Sequence, residues 1–225
     1  MEPSSFKMDV NQEVRQKFPD LHFAFALARS CPHDEISRDF WANRVMASLK
    51  ESYTSPDEIT SGEEAALYKN FYKELPVKFG KVSTPCKQAA RILNKGTYHP
   101  LFPILDACML VEYTTLISFQ LYDADKISGN LHYALAKGGE KILTFHEEEK
   151  ECRAGDLLLQ DGSGVVHSCA YGNHKEKMLS EKSKTALIRL MKIPHLSNAV
   201  FIEAQKSLSS LAEVHWLQDA RADRD

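Results

Sequence analysis

The chain has 225 residues, 43% of them hydrophobic and 26% charged, with a formal net charge of −3. That is enough to bury the core of one large domain or two closely packed ones, and the acidic balance excludes nucleic-acid binding through overall charge, leaving only a local basic patch. No run approaches the roughly 18 apolar residues of a membrane span, the first twenty residues lack a signal-peptide pattern, and five cysteines without a C-x-x-C pair read as reduced thiols, so a cytoplasmic location is expected.

Residues 21–28, LHFAFALA, alternate large apolar groups with small or polar ones, the period of a buried strand. SRDFWANRVMASLKES then places Trp41, Val45 and Leu49 at helical spacing. In SGEEAALYKNFYKEL, Ser61 with Glu64 three residues on reads as a capping box ahead of the stripe Leu67, Tyr68, Phe71, Tyr72 and Leu75, which suits packing onto a core. A third helix is expected from Ser83 or Thr84, with Pro85 in its first turn, to the stop at Asn94-Lys95-Gly96. PILDACMLVEYTTL reads as a mostly buried helix in which Cys108 is a small core hydrophobe.

The next stretch, QLYDADKISGN, fails as a calcium loop. Counted from Asp123, the fifth, sixth and twelfth positions are Ile127, Ser128 and Ala134, where an oxygen ligand, a glycine and a glutamate are required. A structural turn is expected, with Asp123 or Asp125 accepting backbone N–H bonds. After Gly129 the period switches to two, and LHYALAK, KILTF, DLLLQ, GVVHSCA and TALIRLMK are strand candidates. A last helix over SNAVFIEAQKSLSSLAEV carries the stripe Val200, Ala204, Leu208 and Leu211; the ends, 1–10 and 220–225, are expected to fray. Helices crowd the first half (36–116) and strands the second (130–193), before the last helix at 197–214. With no repeat, linker or clean boundary, this predicts one α+β domain over 1–225.

His167, Cys169 and His174 lack the paired short spacings of structural zinc, so no metal is expected. His167 has the right ordinary pKa for a general base, yet the sequence supplies no orienting partner. Lys87, Arg91 and Lys95, four apart, share one helix face and with Lys137 and Lys141 near the Gly-Gly turn could contact phosphates; a solvated face favoured by the helix dipole is the alternative.

Residues 102–127, FPILDACMLVEYTTLISFQLYDADKI, resemble the editing module of the bacterial phenylalanyl-tRNA synthetase beta subunit and its free-standing relatives. There one segment reads approximately Asn-Pro-Val-Val-Asp-Val-Thr-Asn-Tyr-Val and a later one His-Ala-Phe-Asp-Leu-Asp-Lys-Leu; Pro103, Asp106, Asp123, Asp125 and Lys126 match. KFPDLHFAFALA, STPCKQAARILNKG, LHYALAKGGEKI and AGDLLLQDGSGVVHS are similar at lower specificity, so the likeness runs over roughly residues 11–193. Cys108-Met109 stand where the synthetases have Thr-Asn, Gln120 where they have His, and TALIRLMK offers no counterpart of their late-strand glutamate.

The resemblance implies an α+β fold with a mixed or antiparallel, sandwich-like sheet core and helices packed on it. It also implies hydrolysis of the ester joining a wrong amino acid, typically tyrosine, to a tRNA 3′ end, with no metal, cofactor or covalent nucleophile, so that positioning supplies the rate. The pocket residues it implies are Asp106, Met109 and Gln120, with His167, Ser168 and Thr185 from the strand half, around a cleft between the central helix and the sheet. Asp106 equally fits a buried carboxylate held by backbone or lysine partners. Loss of the polar Thr-Asn and His weakens discrimination of tyrosine and keeps two other readings open. One is a non-catalytic module binding RNA or an amino acid; the other is an interaction subunit using the aromatic helix at 61–75. The chain lacks an aminoacylation domain, so ligase activity is not expected.

Overall fold

The structure, a computed structural model, describes residues 7–31, 33–217 and, as backbone only, 220–221. Residues 1–6 and 222–225, expected to fray, lie outside the described residues, whereas 8–10 and 220–221 are strands.

In chain order the elements are β1 (Met8–Val10), α1 (Gln12–Lys17), β2 (His22–Arg29), α2 (Glu35–Ser52), α3 (Pro56–Ser61), α4 (Glu63–Lys73), α5 (Pro85–Lys95) and α6 (Pro103–Thr115). There follow β3 (Ser118–Asp123), β4 (Leu131–Leu135), β5 (Lys141–Leu143), β6 (Glu149–Glu151), β7 (Leu157–Asp161), β8 (Gly164–Ser168), β9 (Gly172–Asn173) and β10 (Thr185–Lys192). α7 (Asn198–Leu211), β11 (Val214–Trp216) and β12 (Ala220–Arg221) close the fold.

Two sheets result, one ordered β11-β2-β10-β3 and the other β1-β4-β7-β8-β9, beside a β5-β6 hairpin. All pairings are antiparallel except β1 with β4. The alternation in LHFAFALA decides how the layers stack, because side chains of opposed residues share a face. Phe23, Phe25 and Leu27 share theirs with Leu187, Arg189 and Met191 of β10. Phe23 stacks on Tyr133 of β4 with ring centroids 3.6 Å apart, so this face meets the second sheet. The opposite face, His22, Ala24, Ala26 and Ala28, receives α7: Phe201 packs edge-on against His22, and Trp216, opposite Ala26, donates its indole N–H to Ser209. Alanines there let the helix approach closely. α6 lies beside α7, and α2 and α5 lie against α6. The order is therefore helices, first sheet, second sheet.

One core runs through all three layers, and a small second one (Ala136, Ile142, Cys152, Leu158, Val165) lies beneath the hairpin. Tyr68, Phe71 and Tyr72 are buried, so the α4 aromatics form no exposed patch.

Local signals hold with one correction. Thr84 caps α5 by accepting from the Lys87 N–H, Pro85 starts it, and Gly96 ends it left-handed at φ 69°. Asp123 accepts from the Asp125 N–H, as the turn reading requires, and also from Ser183 Oγ at 2.6 Å. Ser61, however, is no cap: it closes α3, its hydroxyl donates to the Asp57 carbonyl, and α4 starts from Gly62 without a side-chain cap. The working cap is Ser55, which accepts from the Glu58 N–H at 3.2 Å. No helix among the described residues is long and apolar enough to cross a membrane.

Candidate functional site

The six pocket residues do not meet in one cleft between α6 and the sheet. Asp106 and Met109 sit on α6 in the helical layer, while Gln120 pairs with Arg189 and points toward the second sheet. Strand parity turns Gln120 toward the second sheet, whereas Met109 belongs to α6, which packs beside α7.

Asp106 is fully buried and saturated. It accepts from the Tyr98 hydroxyl at 2.5 Å and the Leu101 N–H at 3.2 Å, and makes a short contact with Nε2 of His33. It ties the loop before α2 and the loop before α6 to the first turns of α6. This is the buried-carboxylate alternative, with histidine and tyrosine in place of lysine. Met109 is half-buried against the core. Ser168 lies on the outer side of the second sheet, where its hydroxyl donates to Asp156 at 2.5 Å and accepts from the Ala170 and Tyr171 N–H groups, holding a turn.

The same strand parity turns Gln120, Thr185 and His167 toward the space between the sheets, with Thr185 four residues along β10 from the Arg189 that opposes Gln120. His167 shares a face with Leu159 and Tyr133, and its Nδ1 pairs with Asn173 Oδ1 at 2.7 Å, the orienting partner that the sequence did not reveal. Burial, helped by the charge of Arg189, pulls its pKa down to about 3. It is therefore neutral at physiological pH and too weak a base to activate water there.

At the centre stands a residue sequence reasoning missed. Arg189 is 1% exposed and always charged. One of its terminal nitrogens donates to the Tyr133 hydroxyl at 3.2 Å, but its Nε has no partner among the described residues, nor does the buried hydroxyl of Tyr122 on the same face. No carboxylate lies within ion-pair distance of it among the described residues. Glu112 instead accepts from the Phe119 N–H at 2.6 Å, and burial pushes its pKa up to about 8. A lone cation and two orphaned donors between sheets are expensive to fold around and could orient an acceptor group of a ligand. The signal was present: an arginine in TALIRLMK shares its strand face with Leu187 and Met191, a face that must be buried.

The basic candidates divide as well. Lys87 donates to the Phe79 and Val82 carbonyls at 2.5 and 2.9 Å and covers the Phe79 ring, so it braces a loop. Arg91 and Lys95 are exposed on α5 in the helical layer. Lys141 pairs with Glu149 at 2.7 Å, and Lys137 edges a cavity of about 660 Å³ with His132 and Gln160 on the outer side of the second sheet. They form no single stripe. Among the described residues no cluster of histidine, cysteine and carboxylate side chains could hold a metal ion.

The fold and this buried inter-sheet cluster define an α+β domain with a helix-backed pair of sheets. Residues 68–201 match the B3/4 domain model, and the chain belongs to that family. It is 35% identical over 88 residues to a phenylalanine--tRNA ligase beta subunit of Corynebacterium jeikeium, covering 39% of this chain and 10% of that one. The Mycoplasma pneumoniae subunit of the same name is 22% identical over 157 residues, covering 69% and 19%, and that of Nocardia farcinica 34% over 76 residues, covering 34% and 9%. The chain thus spans under a fifth of the length of these relatives. An N-terminal fragment of the phenylalanyl-tRNA synthetase beta-subunit from Pyrococcus horikoshii aligns with a TM-score of 0.49 at 12% identity, over 95% of this chain and 51% of that one.

Proposed function

We propose that this chain is an editing-type domain that binds the acylated 3′ end of a tRNA in the cytoplasm. The observation that carries the proposal is the B3/4 match over 68–201, which contains the synthetase-like segment 102–127, together with relatives named as phenylalanine--tRNA ligase beta subunits. The acyl group lies between the sheets beside Gln120, Thr185 and His167, where an acceptor atom satisfies Arg189 and Tyr122. Hydrolysis there depends on a positioned water and on Arg189 facing the oxyanion, not on a general base.

A second reading, binding without hydrolysis, draws on two observations: the low basicity of His167 and the saturation of Asp106. One experiment separates them. Mischarged tRNAs, including tyrosyl-tRNA, are incubated with micromolar protein while binding is followed at rising salt. Deacylation above the uncatalysed rate supports the editing domain. Salt-sensitive binding without deacylation supports the binding module. Absence of both overturns the proposal.

A further inference from the structure

We propose that the cleft between the α4–α5 connection and the β6–β7 turn is a docking site for single-stranded RNA, taking one backbone phosphate on Lys78, Lys81 and Arg153 and stacking a base on Tyr171. The site deepens the RNA-binding reading and rests on it, but uses none of the cations that helix spacing suggested.

The cleft has a volume of about 180 Å³ and is lined by these four residues with Pro76, Val77, Val82 and Ala170. Three cations line it and no carboxylate does. Four other lysines are paired with carboxylates, Lys141 with Glu149, Lys150 with Glu148, Lys175 with Glu147 and Lys177 with Asp161. Lys78, Lys81 and Arg153 are all exposed, and among the described residues their side chains have neither a hydrogen bond nor an ion pair. In a chain of net charge −3, three uncompensated cations around one concavity focus positive potential where an anion can enter.

Size and shape select the ligand. Pockets that enclose a whole small molecule run to about 300–1,000 Å³. This one admits a phosphodiester group and leaves the attached base outside. Tyr171 stands at that edge, half-buried, its hydroxyl donating to the Glu151 carbonyl at 3.3 Å, which fixes the ring as a platform. Lys87 supplies the rigidity behind: by holding the Phe79 and Val82 carbonyls it fixes the short turn that carries Lys78 and Lys81. Lys87 is a positioning residue, not a phosphate contact.

The test is anisotropy with a short labelled single-stranded RNA, titrated at several salt concentrations, on the full chain and on Lys78→Glu, Lys81→Glu, Arg153→Glu, Tyr171→Leu and, as control, Arg91→Glu. Each of the first three variants is expected to weaken binding and to flatten its salt dependence, by at most the slope of about 0.7 that one single-strand phosphate contributes. Tyr171→Leu should weaken binding about tenfold with the slope unchanged, and Arg91→Glu should match the parent chain. These side chains are exposed or half-buried, and circular dichroism verifies the fold of each variant. If tRNA binds the parent chain and all four cleft variants equally, the cleft assignment is wrong while the function proposed above stands. If the short RNA binds through the cleft but acylated tRNA does not bind, the reverse holds. Competition by inorganic phosphate at concentrations that displace the RNA completely, with Tyr171→Leu unaffected, would make this a free-phosphate site and overturn the RNA assignment.

Discussion

Glu112 sits in α6, 2% exposed as a residue, and its carboxyl accepts the Phe119 N–H at 2.6 Å. Burial raises its pKa to about 8, against the smaller lowering effects of that hydrogen bond and of Arg189. The folded chain therefore keeps a proton that the unfolded chain, with an ordinary glutamate pKa of about 4.3, releases. Between those values the native state binds more protons, so stability falls as pH rises. The contribution is complete below about pH 4 and is lost as pH passes 8, at no more than about 1.4 kcal/mol per pH unit. Glu112→Gln keeps an acceptor for Phe119 and cannot ionise. Urea unfolding at about pH 5.5 and about pH 7.5 should show a fall of order 1–3 kcal/mol in the parent chain that is absent from the variant. Parallel behaviour of the two would mean that Glu112 is already ionised when folded.

Among elements, the tie between α4 and α6 is the most exacting. α6 ends at Leu116, a buried non-glycine residue in the left-handed region at φ 55°, a conformation that disfavours a side chain by roughly 1–2 kcal/mol. Burial of Leu116 and the Tyr68 hydroxyl, which donates to its carbonyl at 2.8 Å, hold it there. Tyr68→Phe removes the donor and leaves that carbonyl bare, so a loss of about 1–2 kcal/mol is expected in urea unfolding with the slope unchanged. An unchanged midpoint would mean that water replaces the hydroxyl. Elements of this kind were largely legible in the sequence: the alternation of LHFAFALA, Pro85 and Gly96 around α5, and the period change after Gly129 each act locally. Ser61 misled because Ser55 and Ser61 both precede a glutamate by three, and only tertiary packing of α3 decides between them. The side of the sheet that α6 covers, and the partners of Asp106 at His33, Tyr98 and Leu101, depend on loops without periodicity, so the expected pocket joined residues of the helical layer to residues that face the second sheet.

At the scale of the whole molecule, one core connects Val10 of the second sheet, Phe25 and Leu190 of the first, and Val45, Ile92 and Leu208 of the helices. Phe23 against Tyr133 and Arg189 against Tyr133 bind the sheets to each other, while Phe201 against His22 fastens α7 to the first sheet. Lys192 is fully buried, donates to the Asp20 and Leu196 carbonyls and pairs with the Asp20 carboxylate at 3.3 Å, which ties the connections before β2 and after β10 together. A helical half and a strand half that share these contacts should unfold together, although the sequence segregates them. The two tryptophans provide the measurement: Trp41 on α2 reports the helical layer and Trp216 on β11 the edge of the first sheet. In Trp41→Phe and Trp216→Phe, fluorescence of the remaining tryptophan and far-ultraviolet circular dichroism should give one midpoint within each variant. Because both substitutions shift absolute stability, agreement between probes within a variant is the criterion, not agreement between variants. If Trp216 fluorescence changes only after the helical signal has gone, in Trp41→Phe, the helices and sheets are separate folding units, and the single-domain assignment fails.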